Sequence, residues 1–198
     1  MERFNLPCYL LSVFLFIGHA LGQPSMKIVL PQVVFADTEI TTNVPFAASL
    51  DTAGIFSLEF ALYATPSNNV EVAFGVDANR NGILELEEID RVIGWDCGIW
   101  FTRIGADGPC RMEKVDDDAN GLTTSERTIS WKVQVGTDGL PSQLEVVSND
   151  IKLFKDMPLE SIYNPSWNLI RLTGRGTDMS IEDFMVSVAP DGLVFILK

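Results

Sequence analysis

Oxygen-bearing side chains recur at regular intervals in residues 77–88. The segment contains Asp77, Asn79, Asn81, Gly82, Ile83, Glu85 and Glu88. A calcium ion takes about six to eight oxygen ligands, and a short loop supplies them only if it bends sharply. Glycine at the sixth position of the segment permits that bend. The spacing therefore predicts a Ca2+ site. Its ligands would be the side chains of Asp77, Asn79, Asn81 and Glu88, the carbonyl of Ile83 and, through a water molecule, Glu85.

This segment resembles the calcium-binding loop of the EF-hand family, and the resemblance covers residues 77–88 only. The preceding residues 69–76 alternate apolar and polar side chains, which predicts a strand rather than the entering helix of an EF-hand. After the loop, Leu86, Ile89, Val92 and Ile93 recur at helical spacing before Gly94, which predicts a short helix. The alternative is an ordinary Asn-Gly turn in an acidic chain.

A lone loop of this kind implies a structural calcium site rather than a sensor, because a sensor uses paired loops and a switching helix pair. Asn79 and Asn81 are neutral ligands, which weakens the attraction for the ion. The expected dissociation constant is therefore about 10⁻⁵ to 10⁻³ M.

The first 22 residues have the composition of a secretory signal peptide. Arg3 precedes an apolar run over residues 9–17, and small residues follow, which predicts cleavage after Gly22, with Ala20 as the alternative. The protein is therefore expected to be secreted or periplasmic. No later stretch is long and apolar enough to predict a membrane span in the mature chain.

Cleavage would remove Cys8 and leave Cys97 and Cys110, which we expect to form a disulfide in an oxidising compartment. It would also remove His19, the only histidine of the chain. A mature chain without histidine cannot form Ser-His-Asp or Cys-His catalytic sites, or zinc sites with histidine ligands.

The chain is strongly acidic, with 27 Asp and Glu residues against 14 Lys and Arg residues and a formal net charge of −13. Such a charge opposes binding to nucleic acid or to an anionic membrane. A carbohydrate or a protein remains open as the ligand.

Short runs rich in β-branched and aromatic residues alternate with turn signals along residues 23–198. Strands are predicted at 27–35, 56–64, 70–76, 99–104, 128–135, 144–147, 167–173, 184–188 and 193–197. The absence of a β-α-β rhythm favours a single mainly β domain, an antiparallel β-sandwich of jelly-roll type with one short helix after the calcium loop.

Three weaker patterns leave alternatives open. Residues 116–121 begin like a second calcium loop, but Arg127 stands where the closing carboxylate is required, so a solvated acidic turn is favoured. Glu88 and Asp90 resemble the start of the carboxylate motif of laminarinase-like glycosidases, which implies a jelly-roll glycoside hydrolase as the alternative function; Ile93 replaces the further Glu of that motif.

The third pattern is aromatic. Four tryptophans could stack on sugar rings or belong to the core: Trp95, Trp100, Trp131 and Trp167. Residues 166–176 add Asn168, Arg171 and Arg175, either as a polar binding face or as an ordinary amphipathic strand. The sequence thus predicts an exported, calcium-binding β-sandwich that is a binding or structural module rather than an enzyme.

Overall fold

The computed structural model describes residues 14–20, 23–35, 39–50, 53–65, 68–96, 98–114, 125–159, 162–176 and 179–190. These residues form fourteen strands and no α-helix. The strands are β1 (Phe14–Ala20), β2 (Gln23–Val29), β3 (Val33–Val34), β4 (Ile40–Pro45), β5 (Gly54–Ala64), β6 (Asn69–Gly75), β7 (Ile89–Asp96), β8 (Ile99–Ile104), β9 (Cys110–Lys114), β10 (Ser125–Val135), β11 (Pro141–Ser148), β12 (Ile151–Leu153), β13 (Leu169–Arg175) and β14 (Ser180–Pro190).

The strands form two antiparallel sheets. The eight-stranded sheet has the order β1-β2-β14-β5-β10-β11-β12, with β3 paired to β14, and the six-stranded sheet has the order β4-β13-β6-β7-β8-β9. Apolar side chains from one face of each sheet fill the space between them, because successive residues of a strand point to opposite faces. The predicted antiparallel β-sandwich is confirmed.

Aromatic side chains dominate this inter-sheet core. At one end, Phe74 and Trp167 stack with ring centroids 5.1 Å apart, and Phe56 meets both rings edge-on. All four tryptophans are buried, with at most 2% of their surface exposed. They therefore offer no face to a sugar ring, and the core reading of these residues holds.

A smaller apolar cluster, here called the outer cluster, lies on the opposite face of the six-stranded sheet. Its buried members are Ala73, Leu84, Ile89, Val92, Phe101 and Leu169. On β6, for example, Val72 and Phe74 belong to the inter-sheet core whereas Ala73 between them belongs to the outer cluster. This sheet consequently has buried residues on both faces.

The predicted helix after residue 88 is wrong. Only Leu86–Glu88 form a single 3₁₀ turn, and Ile89–Asp96 form strand β7 between β6 and β8. Val92 faces the outer cluster while Ile93 faces the inter-sheet core. A strand that is buried on both faces has apolar residues at spacings that mimic a helix. The register shift between Phe74 and Gly75 adds to this effect, because it places Ile89 and Val92, three residues apart, in the same outer cluster.

No disulfide is present among the described residues. Cys110 is an exposed free thiol, and Cys97 lies outside the described residues. The predicted Cys97–Cys110 disulfide stays a prediction, because one of its two cysteines is not described.

Several other predictions concern residues that the structure does not describe. The acidic residues 116–120 and the predicted closing strand at 193–197 lie outside the described residues. Within the described part of the chain, no helix has the length and apolar character needed to cross a membrane.

Removal of the predicted signal peptide is expected to leave the sandwich intact. β1 lies at the edge of its sheet and pairs only with β2, so a chain that starts at Gln23 keeps the other strand pairs. Its Tm should differ from that of the full chain by less than about 4 °C, which corresponds to about 1 kcal/mol at this size. Circular dichroism measures the thermal transition of both chains. Loss of a cooperative transition in the shorter chain would contradict this expectation.

Candidate functional site

The predicted calcium loop connects two neighbouring strands of the six-stranded sheet. β6 and β7 are antiparallel and pair up to Gly75 and Ile89, so residues 76–88 form a long hairpin connection. The N–H of Val76 donates to the carbonyl of Glu88 at 3.3 Å, which brings the two ends of the connection together. All the predicted ligands therefore lie on one hairpin loop.

The first half of the loop is curled around its own polar side chains. Asp77 accepts hydrogen bonds from the N–H groups of Asn81, at 3.1 Å, and Gly82, at 2.8 Å, one on each carboxylate oxygen. Asn79 Oδ1 accepts from the N–H of Asn81 at 2.9 Å, and Asn81 Oδ1 accepts from the N–H of Ile83 at 2.7 Å. Gly82 has φ +78°, the conformation for which a glycine was predicted here.

Glu88 closes the loop through its carboxylate. One oxygen accepts from the N–H of Ala78 at 3.0 Å and the other from the N–H of Glu85 at 3.2 Å. Glu85 in turn accepts from the side-chain amide of Asn81 at 3.2 Å. The last predicted ligand thus contacts both the start and the middle of the connection.

The donor set fits a hard cation in its chemistry. Carboxylate and amide oxygens each have a second lone pair beyond the one used for an N–H group, and such oxygens are the ligands that calcium prefers. Among the described residues, no three acidic, histidine or cysteine side chains converge closely enough to hold a metal by themselves. An ion at this loop would therefore depend on the amide oxygens of Asn79 and Asn81 and on the Ile83 carbonyl as well as on the carboxylates.

Two asparagines from other strands attach the loop to the sheet. Asn168, which immediately precedes β13, accepts from the N–H of Asp77 at 2.8 Å. Asn43 on β4 accepts from the N–H of Leu84 at 3.0 Å. The start and the middle of the ligand-bearing segment are thereby fixed to the sheet.

Leu84 packs the loop onto the outer face of the sheet. Its side chain is fully buried in the outer cluster, although both of its sequence neighbours, Ile83 and Glu85, are exposed. A Cβ at Gly75 would lie 2.0 Å from the Glu88 carbonyl oxygen and 2.7 Å from Leu84 Cδ1. Only glycine therefore allows the loop to approach the strand this closely.

Beside the loop lies a cleft of about 340 Å³, here called the Asp90 cleft, lined by Asp90, Ile104, Tyr163, Asn164, Pro165 and Trp167. Asp90 Oδ2 accepts from the side chains of Asn164 and Trp167, both at 2.9 Å. The Tyr163 hydroxyl donates to the Ala48 carbonyl, and burial raises the pKa of Tyr163 to about 12. These polar groups bond mainly one another.

Glu88 and Asp90, the pair that resembles a glycosidase motif, form hydrogen bonds with different parts of the structure. Glu88 bonds main-chain N–H groups of the loop, whereas Asp90 bonds Trp167 and Asn164 in the cleft, which Glu88 does not line. Retaining glycosidases need two carboxyl groups facing one substrate. The structure does not bring these two residues together in that way.

A second cleft, of about 310 Å³, lies on the outer face of β6, β7, β8 and β9. This Arg103 cleft is lined by Asn69, Glu71, Asp96, Ile99, Phe101, Arg103, Cys110 and Met112. Arg103 Nη2 lies 3.3 and 3.2 Å from the two oxygens of Glu71, and its guanidinium carbon lies 5.6 Å from the centroid of the Phe101 ring. The ion pair is half-buried and held over an aromatic ring.

The other polar residues singled out in the sequence do not form one site. Trp167 and Asn168 belong to the core and to the loop attachment, whereas Arg171 lies on β13 and donates from Nε to Thr173 at 3.2 Å. Arg127, which stands at the closing position of the calcium-like pattern that begins at residue 116, is buried and lies 4.5 Å over the Trp95 ring.

No protein-family model and no curated protein matches this sequence. Among solved structures, a tetrameric galectin from the ball sponge Cinachyrella sp. is similar at a TM-score of 0.47 and 16% identity, over 76% of this chain and 99% of that one.

Two further similar structures are a carbohydrate recognition domain and a legume lectin-like domain. The carbohydrate recognition domain of Emp46p has a TM-score of 0.41 and 9% identity, over 93% of this chain and 89% of that one. A legume lectin-like domain from Entamoeba histolytica has a TM-score of 0.41 and 11% identity, over 92% and 87% of the two chains. At these TM-scores, none of the three similarities bears on the ligand of this chain.

Sequence reasoning missed the contacts that hold the loop in place. Asn43 and Asn168 lie 41 and 91 positions from their partners, so local spacing gives no sign of either contact. Leu84 carried a signal, since an apolar residue at the eighth position of an acidic loop indicates a packing contact. The Glu71–Arg103 ion pair was also missed, because it joins β6 and β8 across β7, and β7 was predicted as a helix.

Leu84→Ala is expected to destabilise the protein by about 2 to 5 kcal/mol, because it removes a fully buried side chain and leaves a cavity. Leu86→Ala is the matched control in the same loop: Leu86 is 57% exposed, so its loss should change the free energy of unfolding by less than about 0.5 kcal/mol. Urea denaturation measures both variants. Equal effects of the two substitutions would show that Leu84 does not attach the loop.

Proposed function

We propose that this protein is an exported, calcium-stabilised β-sandwich that acts as a binding or structural module. The observation that supports the calcium site most strongly is the closed loop of residues 77–88, in which main-chain N–H groups orient the ligand side chains and Glu88 joins both halves. The resemblance to an EF-hand loop and the hard-oxygen chemistry of the donors point the same way.

Calcium has a structural role in this proposal. Asp77, Glu85 and Glu88 concentrate three negative charges in one exposed loop, and their mutual repulsion opposes closure. A divalent cation neutralises most of that charge and holds the loop, and therefore Leu84, against the outer cluster. Binding to the folded state alone then stabilises the protein by mass action.

A carboxylate-dependent glycoside hydrolase is the competing function. It requires a second acid opposite Asp90, and Glu88 is engaged by the loop N–H groups instead. We therefore favour binding over catalysis, with a carbohydrate or a protein as the ligand and export to a calcium-rich exterior as the setting.

Calcium is expected to raise the melting temperature. At 10 mM the ion exceeds a dissociation constant of 10⁻⁵ to 10⁻³ M by about 10- to 1,000-fold, which stabilises the folded state by about 1.4 to 4 kcal/mol and raises Tm by about 3 to 16 °C relative to chelator. Glu88→Gln should abolish most of this rise, because it removes the bidentate ligand.

Glu87→Gln is the matched control, since it makes the same change of charge at the neighbouring position, which is not a predicted ligand. It should retain the calcium-dependent rise in Tm. A calcium response of equal size in the two variants would refute the assignment of Glu88.

Hydrogen exchange locates the effect on the chain. Calcium should slow exchange of the N–H groups of Asn81, Gly82, Ile83 and Leu84, because their acceptors lie in or beside the loop. The turn at residues 136–140, which joins β10 to β11, is an internal control and should not respond. Protection spread evenly over both connections would indicate nonspecific stabilisation rather than a site in the loop.

A further inference from the structure

The Arg103 cleft contains polar groups with unused hydrogen-bonding capacity. Arg103 has five N–H donors. Only its Nη2 atom donates to the Glu71 carboxylate. Its Nε is buried and has no hydrogen-bond partner in the described part of the chain. A buried donor without a partner costs free energy, so a ligand or an ordered water that bonds this guanidinium is favoured.

The polar groups are also fixed before any ligand arrives. The side chains of Glu71 and Arg103 are 27% and 23% exposed, and the ion pair between them restricts the rotamers of both. The Phe101 ring supports the guanidinium from one side and is itself held by the outer cluster. Preorganised groups of this kind lose little conformational entropy on binding.

The rest of the lining adds apolar surface and further hydrogen-bonding groups. Met112, which is 64% exposed, and Ile99 form apolar walls, while Asn69 and Asp96 lie opposite each other on β6 and β7. A volume of about 310 Å³ is at the lower end of the range for small-molecule sites. The cleft thus suits a small ligand with both polar and apolar faces.

The charge of the lining narrows the class of ligand. Two carboxylates and one guanidinium give a net charge near −1 in a strongly acidic protein, which disfavours anions, and the central guanidinium disfavours cations. A neutral ligand must therefore offer acceptors to Arg103 and donors to Glu71 at the same time. Adjacent hydroxyl groups of a sugar do both, and its C–H face can pack on Met112 and Ile99.

Two other cavities among the described residues are less suitable. In the Asp90 cleft the polar groups bond one another. The groove on the outer face of the eight-stranded sheet is lined by three carboxylates, Glu59, Glu126 and Asp183; Lys132 pairs with Glu59 at 3.0 Å, and hydrogen bonding to Glu126 together with the nearby carboxylates raises the pKa of Tyr63. Its lining includes the donors Lys27, Thr128 and Ser130 but no guanidinium fixed by an ion pair and a ring, so the groove lacks the preorganised donor of the Arg103 cleft.

We propose that the Arg103 cleft binds a neutral saccharide, with Arg103 and Glu71 bonding adjacent hydroxyl groups and Met112 and Ile99 contacting its apolar face. This inference rests on the proposed binding role and names its ligand class. It does not depend on the calcium site, which lies on a different part of the same sheet face.

A glycan array that carries neutral oligosaccharides and their sialylated and sulfated counterparts tests the proposal directly. The full protein in calcium should be retained by neutral glycans and not by the anionic ones. Glu71→Gln should weaken binding to a retained glycan by at least about tenfold. Glu59→Gln, which removes the carboxylate of a comparable ion pair on the other sheet, should bind as the parent does.

A second pair of variants guards against misfolding. Met112 and Leu140 are both more than 60% exposed, so Met112→Ala and Leu140→Ala should fold equally well, and only Met112→Ala should weaken glycan binding. Failure of every glycan to bind, preference for anionic glycans, or equal affinity in each matched pair would overturn the proposal. In each of these cases an intact calcium-dependent rise in Tm would show that the calcium site itself stands.

Discussion

The carboxylate of Glu88 is the constraint on which this end of the molecule depends. By accepting from the N–H groups of Ala78 and Glu85, it holds a long and acidic hairpin connection in one closed conformation. The closed loop brings Leu84 down onto the six-stranded sheet, where it completes the outer cluster. A calcium ion at this position would strengthen a closure that the hydrogen bonds already favour.

Phe101 links the loop to the Arg103 cleft. Its ring lies in the outer cluster with Leu84 and also under the guanidinium of Arg103. Gly94 makes this arrangement possible, since a Cβ there would lie 2.5 Å from the ring. One face of the six-stranded sheet therefore carries the calcium loop at one end and the proposed saccharide site at the other, with a shared apolar support between them.

Strand positions could be predicted where turn residues mark the ends of a short apolar run. β8 was predicted with its observed ends, and β5 and β6 to within two residues, from alternation and β-branched content. β7 was mistaken for a helix because Val92 and Ile93 are buried on opposite faces, and sequence periodicity cannot separate two apolar faces from one helical stripe.

The loop residues could be named from their spacing, but the contacts that position them could not. Asn43 and Asn168 reach the loop only after β4 and β13 have joined β6 in one sheet, so those contacts belong to the tertiary fold. Isothermal titration of the protein with calcium tests the calcium site directly. We expect one ion per chain with a dissociation constant of about 10⁻⁵ to 10⁻³ M, with binding lost in Glu88→Gln and kept in Glu87→Gln; a parent protein that binds no calcium would contradict the assignment of this site.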